Sequence, residues 1–211
     1  MLTTIATRLE TSAPHLTPQF DPTNLPCVTG FEVSLTQTRI GVLLLARTQQ
    51  GICALSLGQD EAELLAGLAP KRREQVRAHL AIERPAPDQD ATLAQWIVAM
   101  AASNPSALLQ LKLDLDGTDF QTQAWAALRQ IPAGRTWSYR KLATALGKPE
   151  AVRAVARACG ANPVALLVPC HRVIGSNGKL TGYRWGIERK QTLLAWESAL
   201  EPKSKLRNIN L

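Results

Sequence analysis

The sequence predicts an α+β fold, with a small N-terminal unit on an antiparallel sheet and a mainly helical C-terminal domain carrying a helix-turn-helix. Three observations predict it. Residues 31–57 contain three short apolar runs separated by polar or glycine-containing turns, the pattern of an antiparallel meander. Beyond Gly117 the apolar residues recur at helical spacing. The charge divides at about the same place: from Gln121 onward 15 Lys/Arg face 4 Asp/Glu, whereas residues 1–120 hold 9 against 13.

Taken in chain order, residues 1–30 carry Pro14, Pro18, Pro22 and Pro26 with few apolar anchors and read as an extended arm. An N-terminal α/β domain then runs over 31–114. Its apolar runs lie near 31–35, 40–46 and 51–57, and "DEAELLAGLA" reads as a helix opened by Asp60 and Glu61. Residues 83–90, "ERPAPDQD", form a break, after which "ATLAQWIVAMAASN" has helical periodicity. "LLQLKLDLDG" alternates like a strand. No internal repeat is present.

The C-terminal domain is read over 115–198, with a flexible tail at 199–211. "TDFQTQAWAALRQI" supplies a threonine and an aspartate as caps, then Phe120, Ala124, Trp125 and Leu128 at helical spacing. "SYRKLATALG" opens at Ser138 as N-cap and closes at Gly147. A second helix begins just past Pro149. Two short helices joined by a glycine-containing turn fit a helix-turn-helix, although helix pairs also occur as plain packing units. The second helix places Arg153 and Arg157 four residues apart on one face, with small residues between them.

Composition narrows the function. The net charge of +7 is concentrated in the second half, which points to a polyanionic partner such as nucleic acid. The first residues lack a basic start followed by an apolar stretch, and no run is long enough to span a bilayer. The expected location is the cytoplasm, with no membrane association. The cysteines Cys27, Cys53, Cys159 and Cys170 form no CxxC pair, and His15, His79 and His171 form no ligand cluster. Free thiols and no metal are expected.

One segment carries chemistry. In "NPVALLVPCHRVIGSNG" an apolar run leads to Cys170, with Pro169 before it and His171 and Arg172 after it. A thiol is nucleophilic only as thiolate, and an ordinary cysteine ionises near pH ~8.5. A histidine can take the proton, and a carboxylate can fix that histidine's tautomer. Adjacent residues in extended chain point to opposite sides. A Cys170–His171 partnership therefore needs a bridging water or a turn set by Pro169.

"PCHRVIGSNGKLTGYRWGIERKQTLLAWE", preceded by "GTDFQTQAWAALRQIPAGRTWSYRKLATALGKPEAVRAVARACGANP", resembles the O6-alkylguanine-DNA alkyltransferases, the methylated-DNA–protein-cysteine methyltransferases. The likeness runs almost without gaps over about residues 117–197, and "GYRWG" is similar to the bacterial branch. It implies a ribonuclease H-like N-terminal unit. It also implies irreversible, single-turnover transfer of the alkyl group from O6-alkylguanine, and from O4-alkylthymine, to Cys170. No cofactor is implied.

By this resemblance a network runs from Glu197 through His171 and a water to Cys170. Tyr139 is the phenolic donor to the base, and it drives rotation of the target nucleotide. Asn162 is the hinge between the helix-turn-helix and the cysteine segment. Val173, Tyr183, Arg184, Trp185 and Gly186 match the walls of the base pocket, and Arg184 and Trp185 stand where eukaryotic relatives carry smaller residues. The partner is double-stranded DNA, approached through the minor groove with the damaged base flipped out. Arg153 fills the space the base leaves. Ala154, with Ala158, suits the narrow groove, and Gln121, Arg140, Lys148 and Ser176 fall where relatives touch the backbone. A monomer is expected, without the zinc site or the N-terminal regulatory domain of some relatives. Two other readings stand beside this one: a non-catalytic lesion-recognition module, which in relatives lacks the cysteine, and a thiol hydrolase using Cys170 and His171.

Overall fold

A computed structural model describes Val28 and residues 30–82 and 89–200. The expected arm and tail lie almost wholly outside the described residues, as does most of the break at 83–90.

The meander forms as three antiparallel strands in the order β1 (Glu32–Thr38), β2 (Gly41–Thr48) and β3 (Gly51–Gly58). Register pairs Val33 with Ala46 and Leu43 with Leu57, with an irregularity at Ala46/Arg47. Because successive side chains alternate faces, the sheet is buried on both sides. Leu43, Leu45, Ile52, Leu55 and Leu57 face the main core. Leu44, Ala46, Cys53 and Ala54 face a smaller one, closed by Leu64, Leu65, Leu68 and Val76.

Those last four residues come from two helices on that face, α1 (Glu61–Leu65) and α2 (Pro70–Ile82), and from Leu68 in the turn between them. The Asp60 side chain caps α1 by accepting from the Glu63 amide at 2.8 Å. Helix α2 was not expected: "PKRREQVRAHLAI" is strongly charged and buries little beyond Val76. On the other face lies α3 (Gln89–Ser103), whose Leu93 and Ile97 are fully buried.

The expected strand at "LLQLKLDLDG" does not form. Residues Pro105–Gln110 make a 3₁₀ turn that buries Leu108, and the remainder meets β3 through a single bridge, Ile52 to Leu113. The rest of β3's edge is taken by a segment of the C-terminal domain. The Leu55 amide donates to the Pro163 carbonyl at 3.0 Å, and the Ala165 amide to the Leu55 carbonyl at 2.7 Å. The sheet thus holds the run that leads to Cys170.

In the C-terminal domain α4 (Asp119–Leu128) begins with a full capping box, in which Thr118 and Gln121 satisfy each other's backbone amides. Trp125 is buried and donates through Nε1 to the Ala158 carbonyl at 2.9 Å. The helix-turn-helix consists of α5 (Tyr139–Ala145) and α6 (Val152–Gly160). Ser138 caps α5, and Gly147 makes the turn at φ +70° just beyond the C-cap Leu146. A short parallel pair, β4 (Trp137–Ser138) with β5 (Val173–Ile174), joins the start of α5 to the chain just past Cys170. The last helix, α7 (Ile187–Leu200), packs on α3. No described helix is long and apolar enough to cross a membrane.

Candidate active site

Cys170 starts a 3₁₀ turn, Cys170–Arg172, between the buried run 164–168 and β5. Asn162, wholly buried, spans this approach. Its Nδ2 donates to the Val168 carbonyl at 2.8 Å and to Cys170 Sγ at 3.2 Å, while its Oδ1 accepts from the Val164 amide at 3.0 Å. One side chain therefore fixes three points of the cysteine segment just beyond the end of α6.

Behind the thiol lies a buried charge chain. His171 Nε2 is 3.0 Å from Glu197 Oε1. Arg172 grips the same carboxylate with Nε at 3.0 and 3.1 Å and Nη2 at 2.7 Å, and donates through Nη1 to the Ile131 carbonyl at 2.6 Å. The Gly134 amide adds a donor to Glu197 Oε2 at 3.2 Å. Burial works against ionisation of Glu197, but hydrogen bonds and charge from His171 and Arg172 outweigh it and bring the carboxyl from 4.5 to about 2. Burial holds His171 below its usual value, against the opposing pull of Glu197. The imidazole is therefore neutral at pH ~7. A carboxylate only accepts, so the neutral ring carries its proton on Nε2, and Nδ1 is a buried acceptor with no protein partner.

Cys170 itself is a thiol at rest. Burial raises its pKa, opposed by the Asn162 hydrogen bond and the charges of Arg184 and Lys190. Lys190, on α7, is fully buried, and its Nζ donates to the carbonyls of Val173, Thr181 and Gly182 at 2.6, 3.1 and 3.4 Å. Composition gave no signal for Arg172 or Lys190, because a charged residue on an amphipathic helix or loop ordinarily faces water.

The thiol opens to a cavity of about 510 Å³ lined by Tyr139, Cys159, Cys170, Thr181, Tyr183 and Arg184. Ala156, Gly160 and Gly182 complete its wall. Burial raises the Tyr139 pKa, so the phenol remains a proton donor at neutral pH, with its hydroxyl 3.5 Å from the Thr181 carbonyl. Tyr183 stands edge-on to Trp185 at 5.1 Å. Of the five residues expected to wall a base pocket, Tyr183 and Arg184 line the cavity. Val173 and Trp185 are buried and lie outside its lining, as does Gly186, at φ +96°.

Arg153 and Arg157 are exposed on α6, as are Arg140 on α5, Lys148 in the turn and Ser176 in the loop past β5. Lys148 Nζ sits 5.2 Å over the Phe120 ring. Ala154 is half-buried. Ala158 was expected on the outer face of α6 but is buried, its carbonyl bound by Trp125; the exposed small residues are Ala156 and Gly160. Gln121 is engaged in the cap, its Oε1 accepting from the Thr118 amide at 2.9 Å. Among the described residues no group of three His, Cys, Asp or Glu side chains could hold a metal ion. Cys27 and His15 lie outside the described residues.

Comparison with known proteins matches residues 119–199 to the DNA-binding domain of 6-O-methylguanine DNA methyltransferase. The bifunctional transcriptional activator/DNA repair enzyme Ada of Escherichia coli is 44% identical over 172 residues, 81% of this chain and 46% of that protein. A methylated-DNA–protein-cysteine methyltransferase of Salmonella typhimurium is 44% identical over 122 residues, 58% of this chain and 71% of that protein. The structure of Mycobacterium tuberculosis OGT in complex with DNA is similar at a TM-score of 0.60 and 34% identity, covering 84% of this chain and 98% of that one. The chain spans about half the length of the curated relatives it matches first.

Proposed function

The chain belongs to the O6-methylguanine DNA methyltransferase family, and from that premise we propose that it is a DNA-repair protein that moves the alkyl group of O6-alkylguanine in duplex DNA onto its own Cys170. The observation that carries this reading is a buried thiol, hydrogen-bonded by Asn162, on an open cavity and followed in the chain by an ordered His171–Glu197–Arg172 network.

Neutral His171 accepts the Cys170 proton at Nδ1 through a bridging water. The imidazolium that forms lies against the Glu197 carboxylate, already ionised and fixed by Arg172. Sγ then attacks the alkyl carbon in line. The S–C bond forms as the C–O6 bond breaks, and the electron pair goes to the purine. Tyr139 supplies a proton to the departing base, which lowers the barrier by limiting charge on the ring. The products are S-alkyl cysteine and normal guanine. The thioether's only leaving group would be an alkanethiolate, which water does not displace from carbon at neutral pH, so each molecule acts once.

A stacked O6 atom is out of reach of a buried thiol, so the base is flipped out at a cost of a few kcal/mol. The exposed Arg153 fills the gap, and the outer surface of α6, with Ala156 and Gly160, enters the minor groove. Arg140 and Lys148 meet phosphates, which makes affinity fall with salt. The protein acts as a monomer, and O4-alkylthymine is a second substrate. The solved relative in complex with DNA supports this choice of partner.

The test is intact mass before and after mixing with a short duplex containing O6-methylguanine. A gain of one methylene unit per protein, located at Cys170, stopping after one equivalent and absent in Cys170→Ala, is expected. Unchanged mass with tight binding to the same duplex would make the protein a lesion-recognition module. Continued turnover would make it a thiol hydrolase.

A further inference from the structure

We propose that Gly67, in the N-terminal unit, is a positioning residue that sets the reactivity of Cys170 by placing the Arg184 guanidinium between the two units. The inference rests on the reading of Cys170 as the alkyl acceptor.

Arg184 is on the cavity wall, but its guanidinium is held by backbone from both halves of the chain. Nη1 donates to the Ala66 carbonyl at 3.0 Å in the α1–α2 turn, and Nη2 donates to the Asn162 carbonyl. The Asn162 side chain in turn bonds Sγ. The guanidinium also lies over the Trp185 ring at 4.8 Å. Gly67 makes this seat in two independent ways. Its φ is +75°, a conformation that strains any side chain. A Cβ built on it would overlap the Arg184 guanidinium. A residue of the first unit that touches neither thiol nor cavity chemistry thus decides where a cavity-wall cation sits.

That cation matters because the thiol is buried. The ionisable groups around Sγ are Arg184 and Tyr183 on the cavity loop, Lys190 on α7, Cys159 on α6, Tyr139 at the head of α5, and the adjacent His171 with its Glu197–Arg172 pair. Of these, Arg184 and Lys190 are the fixed cations that favour the thiolate against burial. Lys190 is anchored within its own domain by three carbonyls. Arg184 is the one whose place depends on the N-terminal unit.

The experiment measures single-turnover transfer from the O6-methylguanine duplex at saturating DNA, across pH, in wild type, Gly67→Ala, Arg184→Ala and the double variant. Iodoacetamide labelling at Cys170, read by peptide mass, follows the thiol independently of alkyl transfer. Arg184→Ala is expected to slow transfer at pH ~7 about tenfold and to move the pH profile and the labelling profile up by about one unit. Gly67→Ala is expected to shift both in the same direction. In the Arg184→Ala background, Gly67→Ala is expected to change the rate less than about twofold, because both act through one group.

Additive effects in the double variant, or unmoved profiles in Arg184→Ala, would overturn the proposal. Should Gly67→Ala not fold, Arg184→Lys, which keeps the charge but lacks the two-armed fork, is expected to shift both profiles part-way, and a wild-type profile there would overturn it too. A wild type that gains no alkyl group would sink the acceptor reading instead, while the labelling profiles would still report on Arg184.

Discussion

Asn162→Ala is the substitution whose cost follows most directly from the structure. It leaves the Val164 amide without its partner, in a residue of 0% exposure, whereas the Val168 carbonyl keeps the Cys170 amide at 2.8 Å. An orphaned buried polar group costs about 1–3 kcal/mol, so the substitution should cost about 2 kcal/mol, a sizeable share of a typical domain's stability. The assay is urea unfolding: a lower midpoint at unchanged m, and a melting temperature about 6 °C lower. The same substitution removes the Nδ2 donor to Sγ that favours the thiolate, so iodoacetamide labelling of Cys170 at neutral pH should slow. Asn162→Asp separates the two effects. It keeps the acceptor for the Val164 amide but sets a carboxylate oxygen against Sγ, so labelling should slow further. A loss below about 1 kcal/mol with unchanged labelling would refute the view that this side chain organises the cysteine segment.

Glu197, brought from 4.5 to about 2, gives stability that is present above its unfolded value and is lost as pH falls toward 2, about 3 kcal/mol in all. Unfolding free energies at about pH 5 and pH 3 should drop more in wild type than in Glu197→Gln, and equal drops would contradict this. Arg172→Met leaves the buried carboxylate without its cationic partner and should cost about 3–5 kcal/mol by urea unfolding at neutral pH. A variant as stable as wild type would show that the ion pair is not needed. Arg153→Ala should weaken duplex binding and slow transfer from DNA while leaving transfer from the free O6-alkylguanine base unchanged; slowing of both would take Arg153 out of the DNA contact.

The elements legible in the sequence were those whose signal is local. The meander is written in alternating apolar residues bounded by turns, and the caps Asp60, Thr118 and Ser138 each bind the amide that their position predicts. What stayed hidden depends on distant partners. "LLQLKLDLDG" has a strand's alternation, yet it meets β3 at one bridge because the remaining edge is occupied by the segment 163–165. The resemblance placed Ala158 on the outer face, but Trp125 reaches its carbonyl from a helix 33 residues away. Helix α2 was obscured by its own charge. At the site, Cys170 and His171 stood out through their neighbours, whereas Glu197 was reached only by resemblance. The buried Arg172 and Lys190 were not foreseen, because a charge is placed in the interior by carbonyls and carboxylates that come from elsewhere in the fold.

The resting state suits the proposed role of Cys170 as a nucleophile consumed on use. A permanently ionised thiol would react with any small electrophile or oxidant reaching the cavity. Here burial keeps Cys170 protonated, and burial likewise keeps His171 a neutral acceptor. Arg172 neutralises Glu197, so the network does not draw the proton off in advance; Glu197 is instead poised to steady an imidazolium once it forms. Arg184 and Lys190 reduce the cost of the thiolate without removing it. In the proposed reaction such a balance would put ionisation after the base has entered, when water is displaced and the same charges act in a lower dielectric. It follows that Cys170 should react slowly with iodoacetamide in the free protein despite its two neighbouring cations, and that a Cys170 labelling rate matching a free thiol's would mean the acceptor is already ionised before DNA arrives.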